Sequence, residues 1–197
     1  RNIVELQSDG WRQGSIDYKT CVKKSWLEKY SQGVICLSGG ISGDVAKAIF
    51  EGNKDVIQEK IDFYKRIYPN RFYIELTRCG QSGENEYIAK AVQFAKNNNI
   101  PIVATNPVMF ATEQDYEIHK IRTAIQAKVV LSDPKWNDPY TPKMYMRSVE
   151  EMKELFSDLP EAIQNTVAIA MRCSVPILLG KNFLPHIDTG NLTEAEY

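Results

Sequence analysis

The clearest alternation of hydrophobic and polar positions runs from Arg71 to Phe110. Phe72 to Leu76 is a short run of β-favouring residues, and Cys79 to Glu84 is a polar loop that contains Gly80 and Gly83. Asn85 to Asn97 then places Ile88, Ala91, Val92 and Ala95 at helical spacing, and Ile100 to Thr105 is a second apolar run. Two short apolar strands joined by a helix of this length predict a βαβ unit with parallel strands, covered on both faces. In parallel α/β folds the chemistry sits beyond the C-terminal strand ends. Here those ends carry Thr77-Arg78-Cys79-Gly80 and Asn106-Pro107-Val108-Met109.

The flanking sequence extends the same pattern. Arg1 to Trp11 reads as the tail of a helix stopped at Gly10, and a weakly amphipathic stretch covers Tyr18 to Tyr30. Val34 to Leu37 is a compact apolar strand that runs into Ser38-Gly39-Gly40-Ile41-Ser42-Gly43-Asp44, a glycine-rich turn before a helix to about Phe50 that closes at Gly52. Such a loop can cradle phosphate through its backbone N–H groups. No Lys follows the glycines and G-x-G-x-x-G is absent, which favours tight-turn geometry. Asn53 is placed to cap a helix with Ile57, Ile61, Tyr64 and Tyr68 on one face, which ends before Pro69.

Beyond Phe110, Thr112 and Asp115 resemble a capping box ahead of a helix expected to bury Ile118, Ile121 and Ile125, with His119 beside the stripe as a structural residue. A short Val129-Val130-Leu131 run leads into a Pro-rich loop in which Trp136 and Tyr140 are expected to pack. Ser148 and Glu151 form a full capping box for a helix to about Phe156. Pro160 opens another helix, with Ile163, Val167 and Ala170 as its apolar face. Val175 to Leu179 is a last candidate strand, demoted to an edge by Pro176, and an extended linker follows from Phe183. The pattern yields four or five strands and six or seven helices, an α/β chain leaning toward part of a barrel.

Composition narrows the function classes. The 197 residues, 43% of them hydrophobic, are enough for one globular domain with a substantial core. With 24 Lys and Arg against 25 Asp and Glu, the net charge of −1 does not suit a protein that grips nucleic acid with its whole surface. Cys21, Cys36, Cys79 and Cys173 form no C-x-x-C pair, so a zinc ribbon or redox motif is not expected and reduced thiols are. No apolar run reaches membrane-spanning length and no signal-peptide pattern opens the chain, so a cytoplasmic protein without membrane contact is expected. Arg at position 1, where a start would place Met, suggests a piece of something longer.

Several blocks carry a family resemblance. Leu37-Ser38-Gly39-Gly40 with Gly43-Asp44, Tyr68 to Leu76, and Pro101 to Asn106 are similar to the polymerase-and-histidinol-phosphatase (PHP) domain of the bacterial DNA polymerase III alpha subunit. So are Tyr145-Met146-Arg147-Ser148 with Glu150-Glu151-Met152, and Asn165-Thr166-Val167 through Arg172-Cys173; the blocks keep their order from about Val34 to Gly190. The resemblance implies an incomplete seven-stranded β/α barrel of mostly parallel strands with covering helices. It divides the chain into a helical segment over residues 1–30, a partial PHP domain over 31–182 and a linker over 183–197 toward an absent polymerase palm. The family's early His-x-His motif is missing, since the two histidines are His119 and His186, so the later part of the domain is expected.

Active PHP members hold two or three metal ions at the strand ends. Where they place His before Gly this chain has Cys79, and where they read Asp-Val-His it has Pro107-Val108-Met109. Proline offers no ligand, and a methionine thioether suits hard cations poorly. Cys79, Pro107 and Met109 are therefore read as a degenerate metal site, with no catalytic residue, no metal and no cofactor in this chain; Mg²⁺ belongs to the palm of the parent. The resemblance implies membership of a replicative DNA-directed DNA polymerase that meets DNA and the other replicase subunits. It gives this region the part of a scaffold that docks the proofreading exonuclease subunit. A metal-dependent phosphoesterase or 3′–5′ exonuclease and a bare structural module are the alternatives. An uncovered Val34–Leu37 edge also raises the expectation of a dimer, unless residues 1–30 pack back on the sheet.

Overall fold

The computed structural model describes residues 1–16, 19–133, 136, 138–175 and 179–181. The elements follow local sequence closely. Helix α3 (Asp44–Glu51) starts after a single 3₁₀ turn over Gly40–Ser42 and ends at Gly52, whose φ of +70° is the left-handed conformation a helix stop needs. Helix α4 (Lys54–Ile67) is capped by Asn53, whose side chain accepts from the N–H groups of Asp55 and Val56 at 3.2 Å each. Strand β4 (Phe72–Leu76), helix α5 (Glu84–Asn97) and strand β5 (Ile102–Ala104) form the expected βαβ unit. The capping boxes at Thr112 and Ser148 are both present, ahead of a 3₁₀ turn leading into α6 (Tyr116–Ala127) and of α7 (Val149–Leu155) respectively. Pro160 is the first residue of α8 (Pro160–Arg172).

The sheet is small. Strands β3 (Cys36–Leu37), β4 and β5 lie side by side in chain order, all parallel, with Cys36 opposite Phe72 and Ile74 opposite Ile102. Alternation along β4 divides its side chains. Phe72, Ile74 and Leu76 join Ile102 and Ala104 in one cluster with Val45 and Ile49 of α3, Ile61 of α4 and Tyr87 and Ala91 of α5. Tyr73 and Glu75 face the other way. Ile74, Leu76, Ile102 and Val103 are all buried, as their sequence pattern predicts, and a side chain like these contributes about 1.5–3 kcal/mol by leaving water.

Helix α8 closes the free side of β5 with polar side chains rather than with a fourth strand. Pro101 O and Thr105 N bond to β4, so the carbonyls of Ile102 and Ala104 point outward. Asn165 Nδ2 donates to Ile102 O at 2.8 Å and Thr166 Oγ1 to Ala104 O at 3.0 Å, which satisfies two acceptors of a strand edge.

The structure departs from the sequence pattern in several places. Among the described residues there is a three-stranded parallel sheet and no seven-stranded barrel. Helix α1 (Asn2–Gln13) runs through Gly10 and ends at Gly14. It is followed by a two-residue-per-strand hairpin, β1 (Ser15–Ile16) with β2 (Lys19–Thr20), which the pattern did not reveal. Gly10 is needed for proximity: a Cβ there would lie 2.7 Å from Thr20 Cγ2. Only α2 (Lys24–Lys29) is helical in the stretch read as amphipathic.

Ile118, Ile121 and Ile125 are not buried but 69, 48 and 72% exposed, and Ala124 is the buried residue of α6. On α8 the inward face is set by Ala162, Ile163, Asn165 and Thr166, while Val167 is 58% exposed and Ala170 is also exposed. Val129–Leu131 is not a strand. Residues 176–178 of the last candidate strand and the linker from 183 lie outside the described residues, and Val175 itself is exposed and not extended into a sheet.

The chain just after residues 1–30 is tied to the start of β4 by charge-assisted bonds. Arg71 Nη1 donates to Ser31 O and Val34 O at 2.6 and 2.9 Å, and Leu27 and Val34 pack against the core. Tyr30 is buried and donates to Asp9 of α1 at 2.6 Å; this bond, with one from Arg12, holds the Asp9 carboxyl below the ordinary range. No helix among the described residues is long and apolar enough to cross a membrane.

Candidate functional site

Because β3, β4 and β5 are parallel, their C-terminal ends open on one side of the sheet. A cavity of about 210 Å³ lies there, lined by Gly39 and Gly40 after β3, Glu75 on β4 and Thr77 just after it, Pro107 and Met109 after β5, and Tyr140 and Met144 from the later loop. Glu75 is the anchor. Its Oε1 accepts from Thr105 Oγ1 at 2.6 Å, its Oε2 accepts from Gly39 N at 3.1 Å, and its own N–H donates to Ser38 Oγ at 2.9 Å.

The glycine-rich loop owes its geometry to this contact. Gly39 and Gly40 both take positive φ, +82° and +56°, the conformation that concentrates N–H groups on an anion. The Gly39 N–H is already given to Glu75, so this donor serves the protein's own carboxylate.

The residues read as a degenerate metal site separate into two groups. Pro107 and Met109 line the cavity. Cys79 does not: it is fully buried beneath the loop, and its thiol donates to Glu84 Oε1 at 3.2 Å. Burial first, and then the Glu84 carboxylate, push this thiol up to about 11, which keeps it protonated at neutral pH.

Glu84, itself buried, also accepts from Thr77 Oγ1 at 2.8 Å, Cys79 N at 3.1 Å and Gly80 N at 2.7 Å. One carboxylate at the start of α5 thus shapes the whole Thr77–Gly80 turn. Among the described residues no three His, Cys, Asp or Glu side chains converge as metal ligands. His119 sits between the rings of Phe110 and Tyr140, edge-on to Tyr140 at 4.6 Å between centroids, with its Nε2 buried and unbonded. That places it behind the cavity wall as a packing residue. His186 lies outside the described residues.

The loop after β5 is held in place by the later chain. Met109 N donates to Met144 O at 2.8 Å, Met146 N to Phe110 O at 3.1 Å, and Phe110 forms a parallel bridge with Tyr145. Asn106 Nδ2 donates to Tyr145 O at 2.9 Å, and its Oδ1 accepts from Arg147 Nη1 at 3.3 Å. A second cavity of about 430 Å³ opens beside the first, with Arg78, Lys143 and Arg147 on its walls. Arg78 is committed: it forks onto both oxygens of Asp158 at 2.7 Å, bonds Leu155 O and lies over the Phe156 ring. This pair holds the Asp158 carboxyl below its ordinary range.

Glu75, Thr105 and Tyr140 are the site residues that the sequence pattern missed. The available signal was a lone carboxylate inside the apolar run Phe72-Tyr73-Ile74-Glu75-Leu76, at a position of the opposite parity to the core residues.

Comparison with known proteins agrees with the resemblance in the sequence. The PHP domain profile matches residues 1–79, which takes in α1, the hairpin and α2 and ends at Cys79. The DNA polymerase III subunit alpha of Vibrio cholerae is 40% identical over all 197 residues, and that of Escherichia coli K12 is 41% identical over the same length. The Pseudomonas aeruginosa subunit is 37% identical over 191 residues, 97% of this chain. The chain spans about 17% of the length of the first two relatives and 16% of the third. It is homologous along its whole length to one segment of the DNA polymerase III alpha subunit, and its first 79 residues match the PHP domain.

Proposed function

We propose that this chain is part of a replicative DNA-directed DNA polymerase and serves there as a non-catalytic PHP scaffold that docks the proofreading exonuclease subunit. The observation that carries the first half is full-length identity of 36–41% to chains named DNA polymerase III subunit alpha. The nucleotidyl transfer, with its Mg²⁺, the contact with DNA and the contacts with the other replicase subunits are assigned to the longer protein, in the cytoplasm. The three parallel strands are read as an arc of a larger β/α barrel; the parallel bridge between Phe110 and Tyr145 beyond β5 supports that reading.

The scaffold half rests on the chemistry of the strand-end cavity. Its walls at Pro107 and Met109 bring no hard oxygen or imidazole donor, and Cys79 is turned into the protein as a protonated thiol. A site that activates water on divalent ions needs several such donors together.

The test is retention of purified proofreading exonuclease subunit by the immobilised chain, expected at near-equal stoichiometry. Failure of two pure components to associate overturns the scaffold reading. Release of phosphate from a model phosphoester, stimulated by Mn²⁺, would establish the phosphoesterase alternative instead.

A further inference from the structure

The strand-end cavity has a charge pattern that the scaffold reading leaves unused. Among the described residues, Glu75 is the only charged residue in its lining and no Lys, Arg or His forms an ion pair with it. A carboxylate has room for about four hydrogen bonds. Here each oxygen takes one, from an uncharged donor, at Gly39 and Thr105. A partly buried carboxylate that is fixed in position but lacks a counter-charge is complementary to a cation.

We propose that this cavity receives one organic cation, the ammonium or guanidinium end of a Lys or Arg side chain on a docked protein, with Glu75 as its counter-charge. The proposal deepens the scaffold reading and rests on it for the existence of a docked partner, but the chemistry of the cavity stands by itself.

An anion is excluded by Glu75 and by the prior use of the Gly39 N–H. A hard dication is disfavoured, because Glu75 is the one carboxylate of the lining among the described residues and Pro107, Met109, Met144 and Tyr140 offer apolar and aromatic walls. Those walls suit a long side chain, because a Lys or Arg stem buries its methylenes against apolar surface and its charge is attracted to an aromatic face. The Tyr140 ring is held in place by His119, and the Glu75 carboxylate by two hydrogen bonds, so little ordering remains to be done on binding. Gln81 and Ser42 also line the cavity and supply neutral acceptors for the remaining N–H groups of the cation. A protein source is favoured over a free amine by the apolar surface at the mouth: Met109, in the lining, is 45% exposed and Val108, next to it in the chain, is 47% exposed, which a protein surface would cover.

The test is a titration of the full chain, labelled with ¹⁵N, with N-acetyl-lysine methylamide and N-acetyl-arginine methylamide. N-acetyl-norleucine methylamide serves as the uncharged control and MnCl₂ as the metal arm. Saturable shifts are expected at the amides of Gly39, Thr77 and Tyr140 for at least one cationic probe, with binding about tenfold weaker for norleucine and for Glu75→Gln.

Equal binding of charged and uncharged probes would overturn the proposal, and the comparison needs no variant, so it survives a Glu75→Gln chain that fails to fold. Stoichiometric broadening of the same amides by Mn²⁺, relieved in Glu75→Gln, would overturn it in favour of a metal site. Cation binding without retention of the exonuclease subunit would uphold the cavity's chemistry and sink only the identity of the docked protein.

Discussion

Replacing Glu84 by Gln isolates what one buried carboxylate does for the strand-end loop. Glu84 opens α5, where the preceding Gly83 provides no side-chain cap, and its two oxygens gather four donors from Thr77, Cys79 and Gly80. An amide has the same shape, but one of its ends is a donor. Turned toward Gly80, it leaves that N–H facing another N–H; turned toward Cys79, it opposes a backbone N–H, a hydroxyl and a thiol.

The less damaging orientation strands the part-buried Gly80 N–H, which costs about 1 kcal/mol, the low end of the range for an unsatisfied donor. The bonds that survive lose their charge assistance, which roughly halves them. The first turn of α5 also loses a favourable interaction with the helix dipole of about 0.3–1 kcal/mol. The expected destabilisation is about 2–4 kcal/mol, read as a lower urea midpoint with unchanged slope, or as a fall in Tm of about 4–16 °C for a chain of this size. The Cys79 thiol, raised chiefly by burial and further by Glu84, should titrate lower in the variant, read from the pH dependence of its alkylation. An unfolding free energy within about 0.5 kcal/mol of the parent would refute the reasoning, because that is the range of an inconsequential surface change.

Ile102→Ala should cost about 2–5 kcal/mol in urea unfolding, since the side chain is buried in the sheet; a melt like the parent's would contradict the assignment of β5. Thr166→Val keeps the shape but leaves Ala104 O without its donor, for an expected loss of about 1 kcal/mol at this partly open edge. The Asp158 carboxyl is depressed by Arg78, so its pairing stabilises the fold fully above the ordinary carboxylate range and is lost as pH falls below it; Asp158→Asn should flatten that part of the pH–stability curve. Deleting residues 1–30 removes Leu27 and Tyr30 from the packed N-terminal side, and light scattering at several concentrations should then show association that the full chain lacks.

What sequence alone determined is what depends on residues close together in the chain. Asn53, Thr112, Ser148 and Pro160 mark helix starts because a cap is a bond across two or three residues. The βαβ unit was legible because Ile74, Leu76 and Ile102 lie in runs too short and apolar for anything but buried strands. Tertiary structure decided which face each pattern turns inward.

The stripe of Ile118, Ile121 and Ile125 is as regular as any in the chain and yet is exposed, because periodicity defines a face without specifying what covers it. On α8 the inward face includes Asn165 and Thr166, since the neighbour is a strand edge whose carbonyls need donors more than methyl groups. Gly10 reads as a stop and is a point of close approach, because Thr20 reaches it only after the hairpin has folded back.

The candidate site shows the same division. Pro107 and Met109 are at the strand ends because parallel order puts them there, whereas Cys79 is turned away by a carboxylate five residues later. Glu75 became the floor of the cavity only when Gly39, 36 residues before it, and Thr105, 30 residues after it, met at its two oxygens. Contacts across such separations depend on how strands stack, and no local pattern encodes them.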